Sequence, residues 1–399
     1  MADGSVPRGR LSSRTWQPDS WGYAPPKHRR PCRYETFSPD PILAISLHLP
    51  GEVAGLVADA EAAVGALNAH ARPALQPLAQ LLLRTESIAS SKVEGLQVNA
   101  RSLATAEARG ESGRSPGPEV AEVLANVDAM ALAIERGSTS TRLTVDDLTA
   151  VHGELMATTK PAIAGQVRTV QNWIGGNDYT PCKADFVPPP PEEVGGLLDD
   201  LCQFCESEDL PVLVQAAIAH AQFETIHPFE DGNGRTGRAL IHILLRRRGL
   251  APEYVPPVSV ILARNRQGYI SGLKDFRDGE LTSWIAEFAT AVARSAVLAD
   301  RFLEQVQDLQ LRWRDQVAGA MTLRADAAAW SIINVLPAHP VITTQVAVAA
   351  TSRSKSKVTI AIDNLVEAGV LSPLTQGRRN RAWEAVGLLD LLTEMDEKG

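Results

Sequence analysis

The sequence predicts a mainly α-helical protein that carries one β-hairpin and ends in a winged helix-turn-helix. Three observations carry that expectation. Apolar residues recur at three- and four-residue spacing through most of residues 51–320. A Gly-containing stretch at 164–190 breaks that period. The last eighty residues then pass from two short helical patterns to a strand-turn-strand pattern.

The elements follow in chain order. Residues 1–40 are rich in Arg, Ser, Pro and Gly without a sustained period and read as a flexible tail. Its Arg8, Arg10, Arg29 and Arg30 are expected to be solvated. Residues 41–118 read as an N-terminal helical region, with Pro77 in the opening turn of a helix over Ala74–Ile88 and a loop at 110–118. Residues 119–300 read as a second helical domain, with helical patterns at 119–136, 144–157, 191–207, 211–227, 235–248, 265–276 and from 280. Within it, Val167–Ile174, the tip from Gly175 and the run from Tyr179 read as the hairpin; Pro188–Pro191 then forces an extended approach to the next helix. Residues 301–399 read as a linker helix and the winged helix-turn-helix.

Composition narrows the function classes. At 399 residues the length suggests two to three domains. A formal charge of −8 argues against non-specific coating of nucleic acid, so any such contact is local. No apolar run reaches the ~18 residues needed to cross a bilayer. The first residues lack the apolar stretch of a signal peptide, and the chain reads as cytoplasmic. Cys202 and Cys205 fall within a helical pattern and read as packing thiols. Cys32 and Cys182 are distant in sequence, and no metal or redox role is assigned to any cysteine.

The densest chemistry lies in Ala219–Arg238. Pro228 disfavours helical geometry at His227, so a helix should end there and present the imidazole. Gly232 and Gly234 permit a tight turn and close approach to a ligand, at the start of a second helix whose exposed N–H groups suit an anion. Arg235 and Arg238 share one face of its first turn, where cations are unfavourable unless a strong anion is bound. Asp231 beside such an anion suits a divalent cation bridging phosphates. Together these residues describe a polyphosphate site with a general base. The half motif Glu224-x-x-His227 lacks the second Glu-x-x-His of a di-iron centre.

Residues 227–238 resemble the signature of the Fic family, His-x-Phe-x-Asp/Glu-Gly-Asn-Gly-Arg-x-x-Arg, at every fixed position: His227, Phe229, Asp231, Gly232, Asn233, Gly234, Arg235 and Arg238. Ser90, Glu94 and Gly95 resemble its inhibitory motif, Ser/Thr-x-x-x-Glu-Gly/Asn, and Gly165–Gly175 resembles its flap. The resemblance spans about 40–300 and implies a Fic-type helical bundle. It implies a protein adenylyltransferase, moving AMP from ATP to a Ser, Thr or Tyr hydroxyl. In that reading His227 is the base, and Asp231 holds Mg²⁺. Gly232, Asn233 and Gly234 line the anion hole, Arg235 and Arg238 bind the outer phosphates, and Phe229 anchors the loop. Glu94 would pair with Arg238 and block the γ-phosphate. A target protein would dock on the flap, residues 165–186. The alternatives are a deAMPylating enzyme, with Glu94 orienting water, and a DNA-binding regulator that senses ATP. For the latter, Arg353, Lys355, Lys357, Arg378, Arg379 and Arg381 supply a basic patch within 343–381. A homodimer is compatible with either.

Overall fold

The computed structural model describes residues 9–17, 24–69, 76–110, 116–374 and 381–398. Its contacts divide the chain into two units. The first comprises 1–59, 132–248 and 266–290; the second comprises 60–131, 249–265 and 291–399.

The first unit is built around a helix with no exposed face. That helix, α7 (Val212–Ile226), buries every residue from Leu213 to Ile226, as expected of a helix apolar on all sides. It packs against α6 (Pro191–Glu206), α8 (Asn233–Arg247) and α10 (Arg266–Asp278). Trp284, at the start of α11 (Leu281–Ala320), reaches the Ala217 carbonyl through its indole N–H at 2.8 Å. The helix before α6, α5 (Val145–Met156), opens with a reciprocal cap. Thr144 N–H donates to Asp147 Oδ2 at 3.0 Å, while Asp147 N–H donates to Thr144 Oγ1 at 3.4 Å. Pro191 opens α6, where a missing N–H costs nothing. Cys202 and Cys205 are buried free thiols of α6, as read from the sequence, and burial pushes the Cys202 thiol up to about 12.

Residues 1–40 depart from the expected tail. Strands β1 (Arg10–Trp16) and β2 (Cys32–Ser38) pair antiparallel, from Arg10↔Ser38 to Trp16↔Cys32. Arg10 pairs with Glu193 at 3.0 Å, and Arg29 donates to the Ala24 carbonyl; Arg8 lies outside the described residues. Large apolar side chains fall on both faces of this pair, Leu11 and Phe37 on one and Trp16 and Tyr34 on the other, so no alternation marks it. A disulfide between Cys32 and Cys182, with Cα atoms 5.9 Å apart, also corrects the sequence reading. Spacing alone cannot reveal a bridge between thiols 150 residues apart.

The expected hairpin at 164–190 is reduced to a single antiparallel bridge, Ile174↔Phe186. Between them the chain turns through Gly175, Gly176 and a 3-10 turn at Pro181–Lys183. Asn177 directs that turn, accepting the Tyr179 and Thr180 N–H groups at 2.9 and 3.2 Å.

In the second unit, α2 (Gln76–Val93) packs on α9 (Val258–Arg264), where buried Glu86 accepts the Ser259 N–H at 2.8 Å. Like α9, the helices α3 (Ala100–Gly110) and α15 (Leu388–Lys398) are absent from the sequence reading. The C-terminal region runs α12 (Ala328–Val335), β3 (Val341–Thr343), α13 (Thr344–Thr351), α14 (Lys355–Glu367), β4 (Leu371–Pro373) and β5 (Ala382–Ala385). Its strands form one antiparallel sheet in the order β3-β5-β4. Helices α1 (Gly51–Ala69) and α4 (Pro118–Thr139) complete the set.

Candidate active site

Pro228 ends α7 as its chemistry requires. His227 takes a left-handed conformation, φ 49° and ψ 61°, at a cost of roughly 1–2 kcal/mol for a side chain with a Cβ. The surroundings hold it there. Its N–H still closes the helix on Phe223 at 2.9 Å, and its carbonyl accepts from Arg168 Nε at 2.8 Å and Asn172 Nδ2 at 3.2 Å.

The loop that follows is closed from within. Asn233 Oδ1 accepts the Phe229 N–H and Asn233 Nδ2 donates to the Phe229 carbonyl, both at 2.8 Å. The Asn233 side chain therefore shapes the loop, so an anion would meet backbone N–H groups rather than this amide. Phe229 is fully buried, stacked on the His152 ring with centroids 3.8 Å apart and 1° between planes. Gly232 precedes α8 with φ 76°, and a Cβ there would lie 2.3 Å from Met156 Cε. Both the conformation and the space demand glycine. Gly232 hands over to the first turn of α8, whose N–H groups lack helical acceptors.

Arg235 follows on that turn and Arg238 on the next, 3% and 1% exposed. Cations at the positive end of a helix are unfavourable without negative charge close by. Asp231 is half exposed, with Oδ1 accepting the Gly232 N–H at 2.6 Å, Oδ2 paired with Lys160, and Arg235 4.0 Å away. Burial opposes its charge, but the Lys160 and Gly232 hydrogen bonds and the Lys160 and Arg235 charges outweigh that and hold its carboxyl below the usual range.

Four contributors escaped the sequence reading: His152, Lys160, Arg168 and Asn172. Arg168, 3% exposed, also donates to the carbonyls of Pro189 at 2.6 Å and Ile226 at 3.3 Å. It thus covers the C-terminal carbonyls of α7 with a cation. Burial lowers its pKa only to about 10, so it stays charged. Burial also lowers His152 to about 4, which keeps that imidazole neutral. The one available signal was the position of Arg168 and Asn172 inside the flap stretch itself.

Ser90, Glu94 and Gly95 lie in the second unit. Ser90 is buried in α2, and Glu94 is exposed just past its end. Gly95, with φ 93°, caps the helix as the Leu96 N–H closes on the Ser91 carbonyl at 3.2 Å. Among the described residues no three His, Cys, Asp or Glu side chains cluster as a metal site, and no helix is long and apolar enough to cross a membrane.

Residues 142–245 match the Fic/DOC family and residues 54–135 match the Fic/DOC family N-terminal region. Over these two stretches the chain is similar to the Fic/DOC family. It is 32% identical over 117 residues to protein adenylyltransferase fic-1 of Caenorhabditis elegans, covering 29% of this chain and 21% of that protein. It is 30% identical over 159 residues to protein adenylyltransferase Fic of Nematostella vectensis, covering 39% and 34%. A probable protein adenylyltransferase of Aquifex aeolicus is 37% identical over 99 residues, covering 25% and 28%. The matches thus span about a fifth to a third of these relatives' lengths. In fold, the chain is similar to a Fic family protein from Desulfovibrio desulfuricans G20, with a TM-score of 0.51 at 20% identity over 86% of this chain and 98% of that one. It also resembles residues 134–508 of C. elegans Fic-1, with a TM-score of 0.50 at 22% identity over 64% and 73%.

Proposed function

We propose that the protein transfers AMP from ATP to a Ser, Thr or Tyr hydroxyl of a target protein, releasing pyrophosphate. One observation carries this reading: a left-handed His227 stands five residues before Gly232, the turn that opens a helix bearing two buried arginines. His227 would take the hydroxyl proton. Backbone N–H groups at 233–234 would receive charge on the α-phosphate, and Arg235 and Arg238 the outer phosphates. Mg²⁺ fits the donors present. It is commonly bound by one or two carboxylates plus phosphate oxygens and water, and Asp231 offers a single carboxylate held ionised. When bound, the ion would neutralise charge on the bridging phosphates. The target would lie along the flap, where Val170 (53%), Ile174 (38%) and Tyr179 (44%) expose apolar surface. Intact-mass analysis with ATP and Mg²⁺, with and without lysate, tests the reading. An adduct of one AMP is expected; ATP turnover without protein adducts would overturn it.

Autoinhibition by Glu94 belongs to the same proposal. A carboxylate paired with Arg238 would displace the γ-phosphate from its cation, and misplacement of ~1 Å can cost ~10²-fold in rate. Glu94→Gly is expected to raise AMP transfer by up to that factor. Equal labelling by the two proteins at matched ATP and Mg²⁺ would remove this part.

A second reading concerns the C-terminal region, which we propose to be a winged helix-turn-helix that contacts DNA. The exposed Lys355 and Lys357 on the first turns of α14 favour it, as does Arg381 stacked 4.8 Å over the Trp383 ring on β5. Arg353 reaches Ser331 Oγ at 3.5 Å, whereas Arg378 and Arg379 lie outside the described residues.

A further inference from the structure

We propose that His152 is a positioning residue that ties the flap to the catalytic loop through a single imidazole ring. The ring is fully buried at the C-terminal end of α5. It meets three things at once. Its Nδ1 accepts the N–H of Gly165, the first residue of the flap, at 3.1 Å. Its Nε2 lies 3.0 Å from the carbonyl of Asp231. Its face lies parallel to Phe229.

The two bonds fix the tautomer. A backbone N–H can only donate, so Nδ1 carries no proton. The proton then sits on Nε2, which donates to Asp231. The ring thus reads one partner as a donor and the other as an acceptor, on opposite sides of a rigid plane. Both partners are seated closely. A Cβ on Gly165 would lie 3.2 Å from the Thr149 carbonyl, which places the flap's first residue directly on α5. On the other side, a Cβ on Gly232 would come within 3.4 Å of His152 Cδ2. A shift of the flap's first residue therefore reaches the loop backbone at 231–232 through one ring, with no flexible link between.

This inference rests on the reading of the flap as the target platform and of 227–238 as the catalytic loop. If that is right, His152 sets the registry between the aligned hydroxyl and the groups that act on it, without touching either.

Side-chain amides can preserve one bond at a time. In His152→Asn, Oδ1 falls where Nδ1 was and keeps the Gly165 bond. In His152→Gln, Nε2 reaches the Asp231 carbonyl and leaves Gly165 without its acceptor. His152→Phe keeps the stack and loses both bonds. Amide hydrogen exchange of the free protein reads the result without any substrate. In His152→Asn we expect wild-type protection at Gly165 and faster exchange across 229–233. In His152→Gln we expect the reverse, and in His152→Phe both segments exchange faster. In AMP transfer, His152→Gln should raise the target KM several-fold with kcat nearly kept, and His152→Asn should lower kcat with KM nearly kept. The same exchange pattern in all three variants would overturn the proposal, because a purely structural histidine loses both segments together. Should His152→Phe fail to fold, the Asn and Gln variants alone decide. An inactive wild type would remove the functional reading, while the exchange pattern would still decide the role of His152.

Discussion

Residues 227–238 and the flap at 165–186 meet along one seam, where Arg168 and Asn172 hold the carbonyls of Ile226, His227 and Phe229. They keep their shapes by different means. The loop is closed by its own residues: Asn233 binds Phe229, Gly232 turns the chain, and Asp231 receives the Gly232 N–H. The flap has one bridge of its own, Ile174↔Phe186, and a turn held by Asn177, and it also leans on the N-terminal strands. Trp16 packs edge-on against Trp173 at 5.6 Å, Phe37 lies 6.0 Å from Phe186, and His28 stacks on Tyr179 at 5.5 Å. Under the proposed function, a phosphate site would need fixed donors, whereas a platform for a protein chain would gain from a shape that its neighbours can adjust.

The comparison breaks hardest at His227. His227→Ala should cost about 10²–10⁴-fold in AMP transfer while nucleotide affinity stays near wild type, because the phosphates are held by other groups. Label incorporation and equilibrium ATP binding measure the two separately. Retained transfer would deny the loop its chemistry.

Acid should strike the loop's scaffold next. His220 is fully buried between the Gly237 carbonyl and Tyr269 Oη, both at 2.9 Å. Burial first, and then the Arg238 and His242 charges, lower its pKa to about 3 against the Gly237 hydrogen bond. The unfolded chain therefore takes up a proton before the folded one does. The stability contributed by neutral His220 is complete above the unfolded value of 6.5 and is lost as pH falls through about 3. Urea unfolding between pH 7 and pH 4 should show α7–α8 weakening in that window. His220→Gln should flatten the dependence.

Removing the covalent brace should act on the flap alone. In the double variant Cys32→Ser with Cys182→Ser, hydrogen exchange across 175–186 should rise ~10-fold, with 227–238 unchanged. Equal acceleration of both segments would mean that they form one mechanical unit.

The smallest effect concerns Lys160, which pairs with Asp231 from the chain just after α5. Pairs this exposed are worth ~0.2–1 kcal/mol. Lys160→Ala should therefore tighten Mn²⁺ binding to the ATP complex by about 1.4- to fivefold, read by electron paramagnetic resonance.

The loop was legible in the sequence because its causes are local. Pro228 acts on His227, and Gly232 answers to its own φ of 76°. The long helices were legible for the same reason, α7 and α8 within a few residues at each end. What escaped depends on distant partners. Strand β1 pairs with a strand about twenty residues on, and its Leu11 is 62% exposed, so alternation gave little signal. His152 is one apolar-face histidine of α5 until Gly165 and Asp231 are brought to it. Helix α15 was readable from Leu388, Leu389, Leu392 and Met395, all buried, but it follows a strand and went unread.

The Cys32–Cys182 bond also turns the chain between these residues into a closed ring. The ring includes all of 60–131, and with it α2 and Glu94. A protease that cuts once anywhere inside it would produce two polypeptides that still travel as one molecule. Only a thiol would then release the piece that starts at the N-terminus. A nicked sample would look intact on a non-reducing gel, and the segment bearing Glu94 would stay joined to the rest of the protein after the backbone beside it had been severed.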